Sequence, residues 1–295
     1  FSSFFIYTNI GKHFFSKEDR FSDSQILRFS NLKRPLVMGI LNLTPDSFYD
    51  GGSHNNIDDI LRHCEKMLSD GADIIDIGAF SSRPGMEVIS AEEETSRLLP
   101  SLIEIRRHFP SAIISIDTFR KDVAYNAINN GANIINDISG GIFDKEMLPY
   151  IGKNHIPYIL MHSGNNLDNL HHEIIENDIC NEVRHFFEKQ VNELSQYGEQ
   201  NIILDPGIGF NKSMKSNFEL LKNIKDYRID NLPVLIGISR KSIIYKTLEI
   251  TAQEALNGTT VLNTIAVLNG ANILRVHDVK EAVEIVKLDG TMNNI

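Results

Sequence analysis

Short runs of apolar, mostly β-branched residues recur along the whole chain. They are nearly continuous rather than alternating apolar with polar, which indicates strands covered on both faces, as in a parallel sheet. Helices should therefore separate them. The eight runs span residues 36–41, 73–78, 112–117, 133–138, 157–162, 201–206, 233–238 and 272–277.

Segments with helical periodicity lie between these runs. They span residues 57–69, 91–109, 121–130, 144–151, 174–197, 217–226, 251–269 and 279–288. Eight strands alternating with eight helices predict an α/β fold of the (β/α)8 type, a TIM barrel. The alternative is a doubly wound open sheet, but the stretch GILNLTPDSF after the first strand contains no GxGxxG phosphate loop.

We predict one barrel domain over residues 35–295 and an N-terminal extension or linker over residues 1–34. The chain begins with Phe1 rather than Met, and its first residues FSSFFIYTNIGKHFF resemble neither a transit peptide nor a secretory signal. We therefore expect this segment to be a tail or linker from an upstream fused domain.

Composition narrows the class of protein. The 42% hydrophobic and 23% charged content is typical of a globular chain, and the formal charge of −10 argues against general nucleic-acid binding. Only Cys64 and Cys180 are present, without CxxC spacing, which predicts buried reduced thiols and no disulfide. No apolar stretch reaches the roughly 20 residues of a membrane span, so we expect a cytoplasmic protein with no membrane partner.

Polar residues cluster where each strand ends, and in a barrel these ends converge on the catalytic mouth. Structural needs alone would not place acids, amides and bases at every rim position. The candidates are Asn42, Ser81, Ser82, Arg83, Asp117, Asn136, His162, Asp205, Ser239, Arg240, Lys241, Ser242, Arg275 and His277.

The types of these side chains indicate a ligand with two chemical parts. Carboxylates and an amide are suited to a flat heterocycle that offers N–H donors. A guanidinium, an imidazole and an ammonium together favour phosphate or carboxylate groups. Residues 44–56, around Phe48 and Tyr49, and residues 81–88 are predicted to be loops that cover the ligand, the alternative being ordinary solvated loops.

Several motifs resemble those of the dihydropteroate synthase family, and the likeness runs from about residue 35 to 288. They are MGILNLTPDSFYDGG (38–52), DIGAFSSRPG (76–85), SIDTFR (115–120), NDISGG (136–141), LDPGIGF (204–210), SRKS (239–242) and ILRVHDV (273–279). The resemblance implies a transferase of folate synthesis. It would condense 6-hydroxymethyl-7,8-dihydropterin pyrophosphate with para-aminobenzoate to give 7,8-dihydropteroate and pyrophosphate, and sulfonamides would compete with para-aminobenzoate.

The resemblance also implies roles for individual residues. Leaving-group stabilisation would be the main catalytic effect, with Lys241, Arg275 and His277 as catalytic residues and Asp46 and Asp50 assisting from the first loop. The implied pterin-binding residues are Asp117, Asn136, Asp205, Lys241 and Arg275. The implied pyrophosphate site is Asn42, Arg275 and His277, with Asn42 also a ligand of Mg²⁺. The implied para-aminobenzoate site is Phe48, Ser82, Pro84, Phe210, Lys241 and Ser242.

Two positions depart from the family pattern. Ser82 stands where threonine is common. The segment LMHSGNN (160–166) lacks the sequence pattern usual for the loop after the fifth strand, so no role is transferred to that loop. The resemblance further implies a homodimer through late helices and, in some members, a fused upstream pterin pyrophosphokinase.

Two other functions remain open at this point. A corrinoid-type pterin methyltransferase has a similar barrel, although the first-loop motif and SRKS argue against it. A non-catalytic pterin-binding homologue should lose its anion site first, yet Asn42, Arg275 and His277 are all present.

Overall fold

The computed structural model describes residue 29 and residues 32–43, 53–79, 89–164, 178–198 and 200–293. Within these residues eight parallel strands alternate with helices, as predicted. The strands are β1 (Leu36–Asn42), β2 (Ile74–Gly78), β3 (Ile113–Asp117), β4 (Ile134–Asp137), β5 (Tyr158–Met161), β6 (Ile202–Asp205), β7 (Leu235–Ile236) and β8 (Ile273–Val276).

The described part of the chain contains ten helices rather than the eight predicted. They are α1 (Ser53–Asp70), α2 (Ala91–His108), α3 (Lys121–Asn129), α4 (Met147–Asn154), α5 (Ile179–Ser195), α6 (Met214–Lys222), α7 (Ile224–Tyr227), α8 (Ser242–Leu248), α9 (Leu256–Leu268) and α10 (Val279–Asn293).

The two additional helices have local causes. The segment predicted as one helix over 217–226 is divided at Asn223, whose φ of −118° and ψ of 45° are not helical. Helix α8 is a short helix inserted between β7 and α9. Helix α9 begins at Leu256 rather than residue 251, because the backbone N–H and hydroxyl of Thr251 bind Glu254 Oε2 in a turn.

The strands form a closed barrel in the spatial order β6-β5-β4-β3-β2-β1-β8-β7. Strand β1 pairs with both β2 and β8, which joins the two ends of the chain. The remaining gap between β6 and β7 is bridged between Leu204 and Val234, where Leu204 N–H donates to the Pro233 carbonyl at 2.8 Å. This is the predicted TIM barrel, and its strands bring their carboxyl ends to one mouth.

Alternation along each strand sorts the core into two parts. Residues such as Ile75, Ile114 and Leu274 face outward and pack with the helices in the larger cluster. Residues one position away fill the inside of the barrel in a second cluster. That interior cluster consists of Phe29, Leu36, Met38, Ile74, Ile113, Ile134, Ile159, Ile203, Leu235 and Ile273.

The interior cluster lies at the amino-terminal ends of the strands, opposite the mouth. Phe29 is 1% exposed within it, and its backbone N–H donates to Asn201 Oδ1 at 3.1 Å. Arg34 forms a two-point ion pair with the buried carboxylate of Asp73. The packing of the barrel therefore begins before the predicted boundary at residue 35.

Helix α2 illustrates how local sequence sets a boundary. Ser90 caps its first turn by accepting a hydrogen bond from Glu93 N–H at 3.2 Å, and acids fill that turn while Arg106, Arg107 and His108 fill the last. These charges oppose the helix dipole at both ends. Among the described residues, none of the helices combines the length and the apolar character that a membrane span requires.

Candidate active site

On four strands, the inward side chain two residues beyond the interior cluster, toward the mouth, is polar rather than apolar. Asp76 follows Ile74, Asn136 follows Ile134, Asp205 follows Ile203 and Arg275 follows Ile273. Because side chains alternate across a strand, these four share the inward direction of the residues that they follow. The inside of the barrel is therefore apolar at the amino-terminal ends of the strands and polar toward the mouth.

Arg275 is the centre of the polar cluster. Its Nε donates to Asp76 Oδ2 at 2.7 Å, and its Nη2 donates to Asp117 Oδ2 at 2.8 Å and lies 2.6 Å from Asp76 Oδ2. Asn136 Nδ2 also donates to Asp76 Oδ2, at 3.1 Å. Four strands, β2, β3, β4 and β8, are thus joined by one hydrogen-bonded network.

The charges in this network shift one another. Burial raises the pKa of Asp117 to about 7, the nearby Asp76 carboxylate adds to the rise, and Arg275 opposes it. Burial lowers the pKa of Arg275, but Asp76 and Asp117 more than offset this effect and the net shift is upward. The guanidinium therefore stays charged, while Asp117 can change its charge near neutral pH.

Lys241 and Asp205 form a second charged group on the other side of the mouth. Lys241 Nζ donates to the Ile208 carbonyl at 2.6 Å and lies 4.8 Å from the centre of the Phe210 ring. Burial lowers the pKa of Lys241 to about 8, although Asp205 opposes that shift. Burial likewise raises the pKa of Asp205, and Lys241 opposes the rise.

Two glycines border the charged side chains of the mouth. A Cβ on Gly237 would lie 3.8 Å from Arg275 Cβ and 3.9 Å from Lys241 Nζ. A Cβ on Gly78 would lie 3.7 Å from Asn42 Oδ1 and 3.8 Å from Asp117 Oδ2. Lys241 and Arg275 thus both border Gly237, and Asn42 and Asp117 both border Gly78.

Exposure increases from the inside of the barrel to its mouth. Asp76, Asn136 and Asp205 are 1%, 3% and 6% exposed. Asn42, Asp117, Phe210, Lys241, Ser242 and Arg275 are half-buried, and His277 is exposed. The groups suited to a heterocycle therefore lie deepest, apart from Asp117, and those suited to an anion lie nearer solvent.

The loop after β6 carries an apolar surface to the mouth. Phe210 packs with Phe143 against a cluster formed by Phe119, Ile138 and Met161. Phe119 and Phe143 meet edge to face with ring centres 5.5 Å apart. Lys241 over the Phe210 ring places a cation beside this surface, an arrangement that is suited to an aromatic acid.

Two strand-end residues predicted to face the mouth do not belong to it. His162 follows the outward positions Tyr158 and Leu160 and packs edge to face on Phe186 of α5, with ring centres 5.0 Å apart. Its pKa is lowered well below the ordinary value, by burial and then by Lys212. The prediction was wrong for His162 because strand alternation turns this side chain toward the helices.

Arg240 is the second such residue. Its guanidinium forms a two-point pair with Asp278, at 3.0 and 2.8 Å, and donates to the carbonyls of Ala252 and Gln253. These bonds join the SRKS segment to the residues before α9 and α10. Arg240 therefore braces the loop that carries Lys241 and Ser242.

The other predicted residues divide into two sets. Asp46, Phe48, Asp50, Ser82 and Pro84 lie outside the described residues, as do Ser81 and Arg83. Ser242 begins α8 directly after Lys241, and His277 N–H donates to Ser239 Oγ at 3.2 Å, which connects the ends of β7 and β8.

Two charged residues near the mouth escaped prediction. Asp76 lies in the middle of β2. The signal in the sequence that could have identified it is an acid at an inward-facing position of a buried strand. Lys212 is 8% exposed, and its Nζ donates to the carbonyls of His162 at 3.2 Å and Phe210 at 3.1 Å. Burial lowers the pKa of Lys212 to about 7. Nothing in the local sequence distinguishes this lysine from a surface lysine.

The sequence of this chain matches one family of known proteins. The pterin binding enzyme model matches residues 38–277. The dihydropteroate synthase of Clostridium beijerinckii is 41% identical over 259 residues, which are 87% of this chain and 93% of that protein. A folate synthesis bifunctional protein of Arabidopsis thaliana is 38% identical over 88% of this chain but only 57% of its own length.

Solved structures agree with the sequence relatives. The dihydropteroate synthase of Yersinia pestis, solved with a sulfonamide drug, has a TM-score of 0.82 at 36% identity and covers 92% of this chain and 99% of its own. The Xanthomonas albilineans enzyme in complex with 7,8-dihydropteroate has a TM-score of 0.78 at 30% identity and covers 89% and 95%. The chain therefore belongs to the pterin binding enzymes and, within them, to the dihydropteroate synthase family of transferases.

Proposed function

We propose that this chain condenses 6-hydroxymethyl-7,8-dihydropterin pyrophosphate with para-aminobenzoate, forming 7,8-dihydropteroate and releasing pyrophosphate. The observation that carries the proposal is the joining of Asp76, Asp117, Asn136 and Arg275 in one network inside a barrel of this family. Buried acceptors beside cations at a mouth suit a ligand that is a flat N–H donor at one end and an anion at the other.

In this proposal the pterin ring binds deepest. Asp205, Asn136 and Asp117 accept hydrogen bonds from its ring and amino N–H groups, and Lys241 donates to a ring acceptor. Their low exposure supports this assignment, because a ligand that satisfies buried polar groups binds far better than an analogue that leaves them unpaired. The half-buried Arg275 then covers the ring face.

The pyrophosphate group binds nearer solvent, at Asn42, Arg275 and His277. Arg275 retains capacity for this role, because its Nη1 makes no hydrogen bond with the described residues while Nε and Nη2 are held by carboxylates. A guanidinium fixed along one edge in this way presents its remaining donors in a constant direction. Such preorganised charge stabilises a leaving anion without a reorganisation cost.

The para-aminobenzoate ring packs on the Phe210 surface, and its carboxylate meets Lys241 and Ser242. Phe48, Ser82 and Pro84 complete this site in the proposal, from loops that lie outside the described residues. Sulfonamides share the flat aniline and the acceptor oxygens of para-aminobenzoate, so we expect them to compete with it.

We also propose that the enzyme uses Mg²⁺, with Asn42 as a ligand. Mg²⁺ prefers oxygen ligands and takes few protein groups when a substrate phosphate is present. The Asn42 amide oxygen and the Asp117 carboxylate border the same space over Gly78, which fits such a site. The described residues contain no group of three or more His, Cys, Asp and Glu side chains that could hold a metal alone. When bound, the ion would neutralise charge on the pyrophosphate.

The reaction then balances simply. The amine nitrogen of para-aminobenzoate attacks the methylene carbon, the carbon–oxygen bond to pyrophosphate breaks, and the bond electrons leave with that oxygen. The attacking nitrogen afterwards loses one proton to solvent. A neutral arylamine is already nucleophilic at pH 7, so the chain needs no strong base. Asp46 and Asp50 would favour positive charge on the pterin methylene.

The decisive experiment mixes the two substrates with the purified chain and measures released pyrophosphate and formed dihydropteroate, with and without Mg²⁺. We expect equal amounts of both products, dependent on Mg²⁺, and a raised KM for Mg²⁺ in Asn42→Ala. Methyl transfer from a methylated pterin to a corrinoid, with no pyrophosphate released, would favour the methyltransferase instead. Tight pterin binding without turnover would favour a non-catalytic homologue.

We further propose that the enzyme is a homodimer through α9 and α10. These neighbouring helices carry apolar side chains that are 48% to 68% exposed, namely Val261, Leu268, Leu288 and Met292. Sedimentation should give a dimer, and Leu268→Glu should give monomers. A fused upstream pyrophosphokinase and a cytoplasmic location also stay predictions, which the full reading frame and cell fractionation would test.

A further inference from the structure

Asp76 is a buried carboxylate that touches two of the proposed pterin residues. Its side chain is 0% exposed, and its Oδ2 accepts from Asn136 Nδ2 and from Arg275 Nε and Nη2. Its Oδ1 makes no hydrogen bond with the described residues. All of the donors therefore converge on one oxygen atom.

The contact determines which end of the Asn136 amide is available to a ligand. An amide has a donor end and an acceptor end, and neighbouring groups decide how it is oriented. Turning the Asn136 amide over would bring its oxygen against the Asp76 carboxylate, which is unfavourable. With Nδ2 held by Asp76, Asn136 Oδ1 is the atom left to accept a hydrogen bond.

The same oxygen orients Arg275. A guanidinium is planar, so two fixed nitrogens fix the plane of the whole group. Asp76 holds Nε and Nη2 from below, and Asp117 holds Nη2 from the adjacent strand. Without Asp76, Arg275 would keep only the Asp117 contact and could rotate about it.

We propose that Asp76 is the positioning residue of the pterin site. It holds Asn136 as a hydrogen-bond acceptor and Arg275 in one plane, and so selects a heterocycle with an N–H donor at that edge. This inference rests on the proposed function. Asp76 acts through its neighbours, and the acceptor oxygen rather than the charge is what the two neighbours require.

Two substitutions separate orientation from mere packing. Asp76→Leu removes the acceptor, and we expect kcat/KM for the pterin pyrophosphate to fall at least 100-fold, from the loss of pterin contacts. The KM for para-aminobenzoate should change less than threefold. Asp76→Asn should retain kcat/KM within tenfold, because its oxygen can take the Oδ2 position and its amide nitrogen the position that meets no donor.

Ser115 provides a matched control. It is the Cα partner of Asp76 on β3, it is 0% exposed, and its Oγ also makes no hydrogen bond with the described residues. Ser115→Ala should therefore keep wild-type kinetics. A double-mutant cycle with Asn136→Ala tests the route, because Asp76→Leu should cost at least tenfold less when Asn136 is already absent.

The possible outcomes are distinct. Equal rises in both KM values for Asp76→Leu, or additivity with Asn136→Ala, would overturn the positioning role. If Asp76→Leu fails to fold, Asp76→Asn decides, since a loss of more than tenfold there would show that charge and not orientation matters. A wild-type chain that releases no pyrophosphate contradicts the proposed function itself, whereas normal wild-type turnover with normal Asp76→Leu kinetics contradicts only this inference.

Discussion

Asp117 and Arg275, 158 residues apart in the chain, are joined by a 2.8 Å hydrogen bond from Arg275 Nη2 to Asp117 Oδ2. The pair connects β3 to β8 on opposite sides of β1 and β2. Through this contact the guanidinium of the proposed anion site lies beside a carboxylate of the proposed heterocycle site.

The first consequence is a pH dependence. Asp117 has a pKa of about 7 and accepts hydrogen bonds as a carboxylate only above it, while Lys241 keeps its charge only below its pKa of about 8. We expect kcat/KM for the pterin substrate to fall on both sides of pH 7–8. Asp117→Asn should remove the acidic limb, and Asp226→Asn on the surface of α7 should keep it. An acidic limb that persists in Asp117→Asn would refute the assignment.

The substitutions Lys241→Ala and Asp205→Ala test the second charged group, which is proposed to bind the pterin ring. Each change removes a charged group that the proposal assigns to the pterin ring, so we expect pterin-dependent turnover to be abolished while circular dichroism shows a folded barrel. The exposed Lys246→Ala on α8 is the control. Near-normal rates in either site variant would contradict the pocket assignment.

Arg275→Ala tests the anion site. Its loss should weaken binding of the pterin pyrophosphate more than binding of the free pterin, because only the former carries the negative group. Titration of both ligands by calorimetry, with Arg62→Ala as a surface control, measures the difference. Equal weakening of both ligands would contradict the anion role of Arg275. The unpaired Asp76 and Asp117 should also lower the free energy of unfolding by about 3–5 kcal/mol.

Gly207 tests the loop that carries Phe210. It has a φ of +67°, and a Cβ there would lie 1.9 Å from the His162 carbonyl oxygen. Gly207→Ala should therefore destabilise the fold by more than about 1 kcal/mol in denaturant titration. At Gly290, in α10, a Cβ meets nothing within 4 Å, and alanine should stabilise by about 0.5–1 kcal/mol. Equal effects at both glycines would contradict this account of the loop.

Strand pattern predicted much of the fold and most of the candidate residues. The eight apolar runs became the eight strands, because parallel strands buried on both faces leave a strong local signal. Helix α8 was missed and α7 was predicted as part of one helix with α6, since elements this short have too few residues to show a helical period of their own. The family resemblance was confirmed by the comparisons, whereas the roles of individual residues stay predictions.

The wrong predictions for residues at the mouth came from using position along the chain alone. His162 and Arg240 were grouped with the inward residues because they follow strands, yet alternation and the Asp278 pair turn them elsewhere. Asp76 was passed over because it lies inside a strand rather than after it. Position along the chain shows where a strand ends but not which partner a long side chain finds.

The sequence by itself determined the alternation of elements, the barrel, and the presence of acids, amides and cations at its rim, because these depend on local periodicity and composition. Only the tertiary structure decided that Asp76 meets Arg275 across 199 residues and that Asn136 turns its amide nitrogen toward Asp76. Such contacts depend on strand register and closure of the barrel, which no local pattern encodes.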